Sequence, residues 1–179
     1  YNEKDINKKN YFLIKNVKEL DDWISEAEEQ GEIAIDTETS SLDPHQTDLI
    51  GISLSTKIGK ACYIPIAHKN GHCLKKIDVI KKLKPIFEDK SIKKIGQNIK
   101  FDFIVLYKQG IELSCMEDTM LMSYVLDAGK NRHNMDTLST IHLNHNTIAF
   151  KDLVGIGKKQ INFSEVEIEK AAEYAAEDA

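Results

Sequence analysis

Apolar residues recur at helical spacing between residues 17 and 29, where Leu20, Trp23, Ile24 and Ala27 share one face. This predicts an amphipathic helix stopped by Gly31. Ahead of it, YFLIKN reads as a short strand, and the polar residues 1–10 read as a flexible lead-in. Behind it the period changes. Ile33-Ala34-Ile35 is a continuous apolar stretch running into acids and hydroxyls, the pattern of a central strand buried on both faces. LIGISLS (Leu49 to Ser55) and ACYIPI (Ala61 to Ile66) are two more strands joined by a turn at Lys57–Lys60, with Pro65 limiting the pairing of the second. Ile77, Ile80, Leu83, Ile86 and Phe87 mark a helix whose other face is rich in Lys, and Ile92 to Ile95 a short strand. Asn98 is expected to cap a helix over Ile99 to Gln109, closed by Gly110.

Met116 to Leu126 and Asn134 to Ile141 read as helices, and residues 144–162 as mostly loop. Ser164 and Glu167 have capping-box spacing and are expected to open a helix that runs to Ala179. With strands early, helices late and no internal repeat, the chain is expected to be one α/β or α+β domain around a single sheet.

Composition narrows the class. With 179 residues, 41% hydrophobic and 30% charged, the chain can bury a full core without disulfides or a structural metal. Cys62, Cys73 and Cys115 form no paired framework, which suits a reducing compartment. No apolar run approaches the ~20 residues of a membrane span, and nothing resembles a secretory leader, so no membrane is expected as a partner. A net charge of −5 excludes a passive polycation that holds nucleic acid by charge alone, but not an enzyme that meets it through metal ions. Of 24 basic residues only Arg132 is Arg, a bias that points to base composition rather than function. The chain begins at Tyr1 and stops inside a helical pattern, so it is expected to be a piece of a longer polypeptide.

The chemistry lies in three clusters of carboxylates. Asp36 and Glu38 are two apart at the end of the apolar strand and share one face. Two such carboxylates repel unless a cation lies between them, and oxygen-only ligation suits Mg2+ or Mn2+. Taken alone, the pair fits a solvent-facing strand end better. In Gly96-Gln97-Asn98-Ile99-Lys100-Phe101-Asp102, Asn98 and Asp102 are four apart and expected on one helix face. An Asp near a helix N-terminus is also favoured by the dipole. Tyr174 and Asp178 are four apart on the last helix, with Glu173 and Glu177 as a second stripe. That stripe alone reads as a solvated acidic face, although Ala171, Ala172, Ala175 and Ala176 would let the helix pack closely on a sheet. His68, His72 and Cys73 lack a fourth ligand at zinc spacing, His142 and His145 read as polar surface, and no phosphate-cradling G-x-x-x-x-G-K-[ST] loop is present.

A strand DxE, an Asp in a helix after a strand and glycine, and a final YxxxD, in this order, resemble the tyrosine branch of the DEDD exonuclease superfamily. IAIDTETSSLD, YIPIAH, LKPIFED, IGQNIKFD, RHNMDTLS, the Gly155-Ile156-Gly157-Lys158-Lys159-Gln160 loop and EYAAEDA are each similar to segments of the proofreading 3′→5′ exonuclease domains of bacterial DNA polymerase I. Together they cover about residues 31–179. The resemblance implies an RNase H-like α/β fold, with a mixed central β-sheet flanked by helices. It implies a single exonuclease domain over 1–179, monomeric, bacterial and cytoplasmic, acting on single-stranded DNA 3′ ends beside a polymerase domain of the same parent chain.

Two divalent metal ions are implied, Mg2+ or Mn2+, with Zn2+ an alternative at one site. By the same resemblance, Asp36 bridges the two ions, Glu38 and Asp178 complete the tighter site, Asp102 serves the second, and Tyr174 orients the attacking water. Thr39, Leu42, Gln97, Asn98, Phe101, Arg132 and Phe150 match positions along the DNA strand, Leu42 as a wedge between bases and Phe150 as a stacking ring. Two other functions stay open at this point: a non-catalytic DNA-end-binding or packing domain, and an RNA-trimming exonuclease of the same superfamily.

Overall fold

The computed structural model describes residues 10–179, so the expected lead-in lies, but for Asn10, outside the described residues. Six strands form one mixed sheet: β1 (Tyr11–Leu13), β2 (Glu32–Thr39), β3 (Leu49–Lys57), β4 (Lys60–Pro65), β5 (Lys93–Gly96) and β6 (Met116–Asp118). Their order is β1-β4-β3-β2-β5-β6. β2–β3 and β3–β4 pair antiparallel; β1–β4, β2–β5 and β5–β6 pair parallel. The helices are α1 (Val17–Gln30), α2 (Lys76–Glu88), α3 (Lys100–Tyr107), α4 (Thr119–Asp127), α5 (Met135–Leu143), α6 (Phe150–Val154) and α7 (Ile168–Asp178).

The local grammar of the long elements is plain. The Asn16 side chain accepts from the Lys18 and Glu19 backbone N–H groups and opens α1, while Gly31, at φ 69°, closes it in the left-handed conformation that glycine adopts without penalty. Leu20, Trp23 and Ala27 of α1 pack with Val79, Leu83, Ile86 and Phe87 of α2 against Ile33, Ile35, Ile52 and Leu54 of the sheet. A smaller core joins Ile50 and Tyr63 to Phe163, Val166, Ala171, Ala172 and Ala175. This second core docks α7 on the sheet, chiefly against β4 and β1. Lys94 is fully buried and closes the end of α2, its ammonium donating to the carbonyls of Ile86, Asp89 and Ile92 at 3.3, 2.6 and 2.6 Å.

Several expectations need correction. β2 lies at the centre of the sheet but is not buried on both faces: Ile33 and Ile35 are buried, whereas Ala34 and Asp36 are half-buried. Their face turns toward a groove. Asn98 does not cap α3, and it does not share a helix face with Asp102. It takes a left-handed conformation (φ 57°) outside the helix, and Ile99 is the capping position. Asn tolerates that conformation better than most residues. Met116 to Asp118 form an edge strand on β5, because the Asp118 side chain accepts from the Met120 and Leu121 N–H groups and starts α4 only there. Residues 150–154 inside the expected loop form α6. The capping box is Asn162 with Glu165, around the 3-10 turn Phe163–Glu165, and α7 begins at Ile168. Glu165 and not Glu167 reaches back, its carboxylate accepting from Asn162 N–H at 2.8 Å.

Candidate active site

Asp36 and Glu38 extend from the same face of β2 because strand side chains alternate. Thr37 points to the other face and is buried. It provides what sequence reasoning missed: its N–H and its hydroxyl both donate to Asp102 Oδ1, at 2.9 and 2.5 Å. Asp102 sits in the first turn of α3, close to β2, because the chain turns sharply after β5. Gly96 permits that turn, since a Cβ there would lie 3.0 Å from the Ile99 side chain and 3.2 Å from the Ile35 carbonyl oxygen. Asn98 N–H donates to Asp118 Oδ1 at 3.0 Å, which ties the turn to the edge strand.

Asp178 arrives from the opposite direction. The alanines of α7 are buried and bring its last turn close to the sheet. One ligand oxygen from each of Asp36, Glu38 and Asp178 lies within 4.8 Å of the others. Glu38 is 7% exposed, and its Oε1 is buried with no hydrogen-bond partner, as expected of an oxygen that serves a cation. A groove of about 490 Å3, lined in part by Ala34, Gln97, His145, Glu177 and Asp178, adjoins the cluster.

The electrostatics agree with the geometry. Burial, and then the charge of Asp36, pushes the Asp102 and Asp178 carboxyls up to about 8. Burial alone raises Asp36 to about 6. Glu38 rises well above the ordinary carboxylate range, through burial and then the charges of Asp36, Asp178 and Asp102. Such a site holds protons when it holds no cation, and a divalent ion takes their place. The donor set is all oxygen, which fits Mg2+ or Mn2+.

Tyr174 lies one turn before Asp178, and its hydroxyl hydrogen-bonds that carboxylate. Burial first, and then the charge of Asp178, drives the phenol far above its ordinary value. In the metal-free site the phenol therefore keeps its proton. The Tyr174 ring meets Phe150 at 6.0 Å and Phe163 at 6.2 Å, and Phe150 stacks on Phe163 at 6.2 Å with 6° between planes. Phe163 is buried and backs both other rings. Only its apolar character marked it in the sequence.

The remaining residues lie outside the carboxylate cluster. Leu42 is 93% exposed in the turn after β2, and Phe150 is 43% exposed at the start of α6. Thr39 is half-buried and donates to the Ser41 carbonyl at 3.0 Å. Phe101 is half-buried and packs on the core. The Gln97 side chain is engaged at both ends, donating to the His133 carbonyl at 2.7 Å and accepting from Thr119 Oγ1 at 2.5 Å. Arg132 is exposed between α4 and α5. His68 is held by Tyr63 Oη at 2.7 Å and by the Val166 carbonyl at 3.2 Å, a structural role. Of the second acidic stripe Glu173 is exposed as expected, but Glu177 and His145 are not the solvated polar surface that the sequence suggests. The Glu177 side chain is 2% exposed and pairs with His145.

Comparison with known proteins agrees. The family described as 3′-5′ exonuclease matches residues 11–179. DNA polymerase I of Rhizobium leguminosarum is 42% identical over 190 residues, which take in 94% of this chain and 19% of that protein. This chain thus spans about a fifth of the length of such a relative. Brucella melitensis NrnC, solved with bound Mg2+, has a TM-score of 0.62 at 26% identity over 83% of this chain and 66% of that one. Escherichia coli RNase D, described as an exoribonuclease involved in structured RNA processing, has a TM-score of 0.68 at 19% identity over 95% of this chain and 41% of that one. The last likeness speaks for fold alone, and the mixed sheet flanked by helices is the RNase H-like arrangement. With a matching family over nearly its whole length and the carboxylate cluster in place, the chain belongs to the 3′-5′ exonuclease family.

Proposed function

We propose that this chain is a DNA-directed 3′→5′ exonuclease that removes nucleotides from single-stranded 3′ ends, as the proofreading module of a polymerase chain. The observation that carries the reading is the set of three carboxylates within 4.8 Å of one another, with Glu38 Oε1 buried and unpartnered among them. Asp36 would serve both ions, with Glu38 and Asp178 holding one of them and Asp102, steadied by Thr37, holding the other. Two divalent ions, Mg2+ or Mn2+ with Zn2+ as an alternative at one position, supply Lewis-acid stabilisation of the attacking and leaving oxygens. The Tyr174 hydroxyl orients the attacking water and does not remove its proton, since its own proton is held too tightly. Phe150, backed by Phe163, stacks on a base, and the exposed Leu42 wedges between bases. Thr39, Gln97, Asn98, Phe101 and Arg132 line the path of the strand.

Residues 1–179 act in this reading as one domain, monomeric and cytoplasmic, with its polymerase in the same parent chain. Among the described residues no helix is long and apolar enough to cross a membrane. The test is release of mononucleotides from single-stranded DNA with Mg2+, abolished by chelator, beside an RNA strand of equal sequence. No release from either strand overturns the catalytic reading and leaves an end-binding module; faster release from RNA makes the chain an RNA-trimming enzyme.

Two substitutions separate the roles. Tyr174→Phe is expected to lower the chemical rate roughly 10- to 100-fold, the worth of one hydrogen bond to a charged group. The ring still packs on Phe150 and Phe163, so the magnesium midpoint should hold. If the midpoint shifts as far as the rate falls, Tyr174 builds the metal pocket instead. Phe150→Ala removes a stacking contact worth about 1–3 kcal/mol and should weaken binding roughly 5- to 150-fold. Leu42→Ala should act in the same direction. Fluorescence anisotropy with a short oligonucleotide and Ca2+ in place of Mg2+ reads both, and unchanged affinity in both variants puts the DNA track elsewhere.

A further inference from the structure

Glu177 is oddly placed for a carboxylate. It lies in the last turn of α7, where the helix dipole disfavours negative charge, and it is adjacent to Asp178. Its side chain is 2% exposed. What the position offers is two bonds across to another segment. Oε1 lies 3.0 Å from His145 Nε2, and Oε2 accepts from the Ile148 backbone N–H at 2.5 Å. A carboxylate oxygen accepts, so this bond is made through a proton on His145 Nε2.

The segment so held leads to the stacking ring. Residues 144–149 have no regular structure, and Asn144 takes a left-handed conformation (φ 51°). The segment leans on α5, where Ser139 Oγ donates to the His145 carbonyl at 3.0 Å and the Thr147 hydroxyl donates to Asp136 Oδ1 at 2.7 Å. Glu177 ties it to α7. Two residues beyond Ile148, Phe150 places its ring against Phe163 and Tyr174. One turn of α7 therefore carries three functions: Tyr174 against the Phe150 ring, Glu177 on the main chain that leads to it, and Asp178 in the carboxylate cluster.

We propose that Glu177 is a positioning residue: through His145 and the Ile148 amide it locks the Phe150 arm to α7, so that the stacking ring and the Asp178 carboxylate keep one fixed spacing. The DNA strand then meets a ring already at the right distance from the cleavage centre. This rests on the exonuclease reading, with Phe150 on the DNA strand.

Three variants test it in a steady-state assay of mononucleotide release from a short single-stranded DNA with Mg2+. Glu177→Ala cuts both ties and is expected to raise KM about fivefold or more, within the range of a lost stacking contact, while kcat changes little. Glu177→Gln removes the same charge but can accept from Ile148 N–H and donate to His145 Nε2 in its other tautomer, so it is expected to restore most of the KM lost in the alanine variant. The comparison cancels any effect of the charge itself on metal binding. In a Phe150→Ala background, Glu177→Ala is expected to add nothing further to KM, because the ring it positions is gone. Equal KM in the alanine and glutamine variants, or full additivity with Phe150→Ala, overturns the proposal. Should Glu177→Ala not fold, His145→Ala removes one tie from a partly exposed position and carries the same expectation at smaller size. No release of nucleotides by the unsubstituted chain overturns the exonuclease reading itself, an outcome distinct from an active chain indifferent to Glu177.

Discussion

Asp36→Ala is expected to abolish nucleotide release while raising the melting temperature of the metal-free protein. Asp36 is the hub of the cluster: its charge contributes to the upward shift of Glu38, Asp102 and Asp178 alike. In the proposed arrangement its removal would take the shared ligand from both cation positions. Lewis-acid stabilisation is worth several kcal/mol, so the rate should fall by about 10^3-fold or more. The fold has no stake in that carboxylate. Asp36 ends a run whose packing belongs to Ile33 and Ile35 on the other face, and relief of repulsion favours the folded state. Release of mononucleotides from single-stranded DNA gives the first quantity, and thermal denaturation followed by circular dichroism in chelator gives the second. Turnover close to that of the unsubstituted chain would sink the metal assignment, and a large drop in melting temperature would make Asp36 a structural residue.

The metal-free protein is expected to lose stability as pH rises from about 4 to about 8, and Mg2+ to restore it. Asp102 and Asp178 go from 3.8 to about 8 on folding, with burial the leading cause. Between those values the folded state holds protons that the unfolded chain has released. The unfolded state therefore binds fewer protons, and stability falls with pH throughout the window. Asp36 and Glu38 shift in the same direction. Glu26, lowered to about 2 by hydrogen bonds from Lys57, Lys60 and Thr56, stabilises the fold above its ordinary value and is constant across most of the range. His68, lowered by burial, works the other way near and below neutrality, one group against four. A net loss of about 2–3 kcal/mol corresponds to a fall of roughly 5–10 °C in melting temperature for a chain this size. Melts in chelator at pH 5 and pH 8, and at pH 8 with Mg2+, measure it. A melting temperature that is flat or rising from pH 5 to pH 8 contradicts carboxylates held protonated by burial.

Where sequence and structure part company, the reason is physical. The long amphipathic pieces were readable because each has a period and a stop: Leu20, Trp23 and Ala27 with Gly31, or Leu83, Ile86 and Phe87 in α2. The three-residue strand β6 was hidden because Met116 to Asp118 has no period of its own and gains its structure from pairing with Lys94 to Gly96. The start of α7 was misread because Ser164 and Glu167 have capping spacing, yet Asn162 with Glu165 makes the better pair two residues earlier. The carboxylates were legible as types and spacings. Thr37 and Glu177 were not: a Thr between two acids and a Glu in an acidic stripe look like filler until distant segments fold onto them.

The carboxylate cluster draws on residues 36 and 38 in the middle of the sheet and on 178 in a helix whose docking depends on small buried alanines. Opening of α7 alone, with the sheet still intact, would remove Asp178, Tyr174 and the Glu177 tie in one motion. Activity would then report a local equilibrium and not the global one. If α7 opens on its own, cleavage is expected to be lost on heating while most backbone amides of the sheet are still protected from exchange. During synthesis the carboxylate cluster would come together only when the most distant of its segments has folded back onto the first.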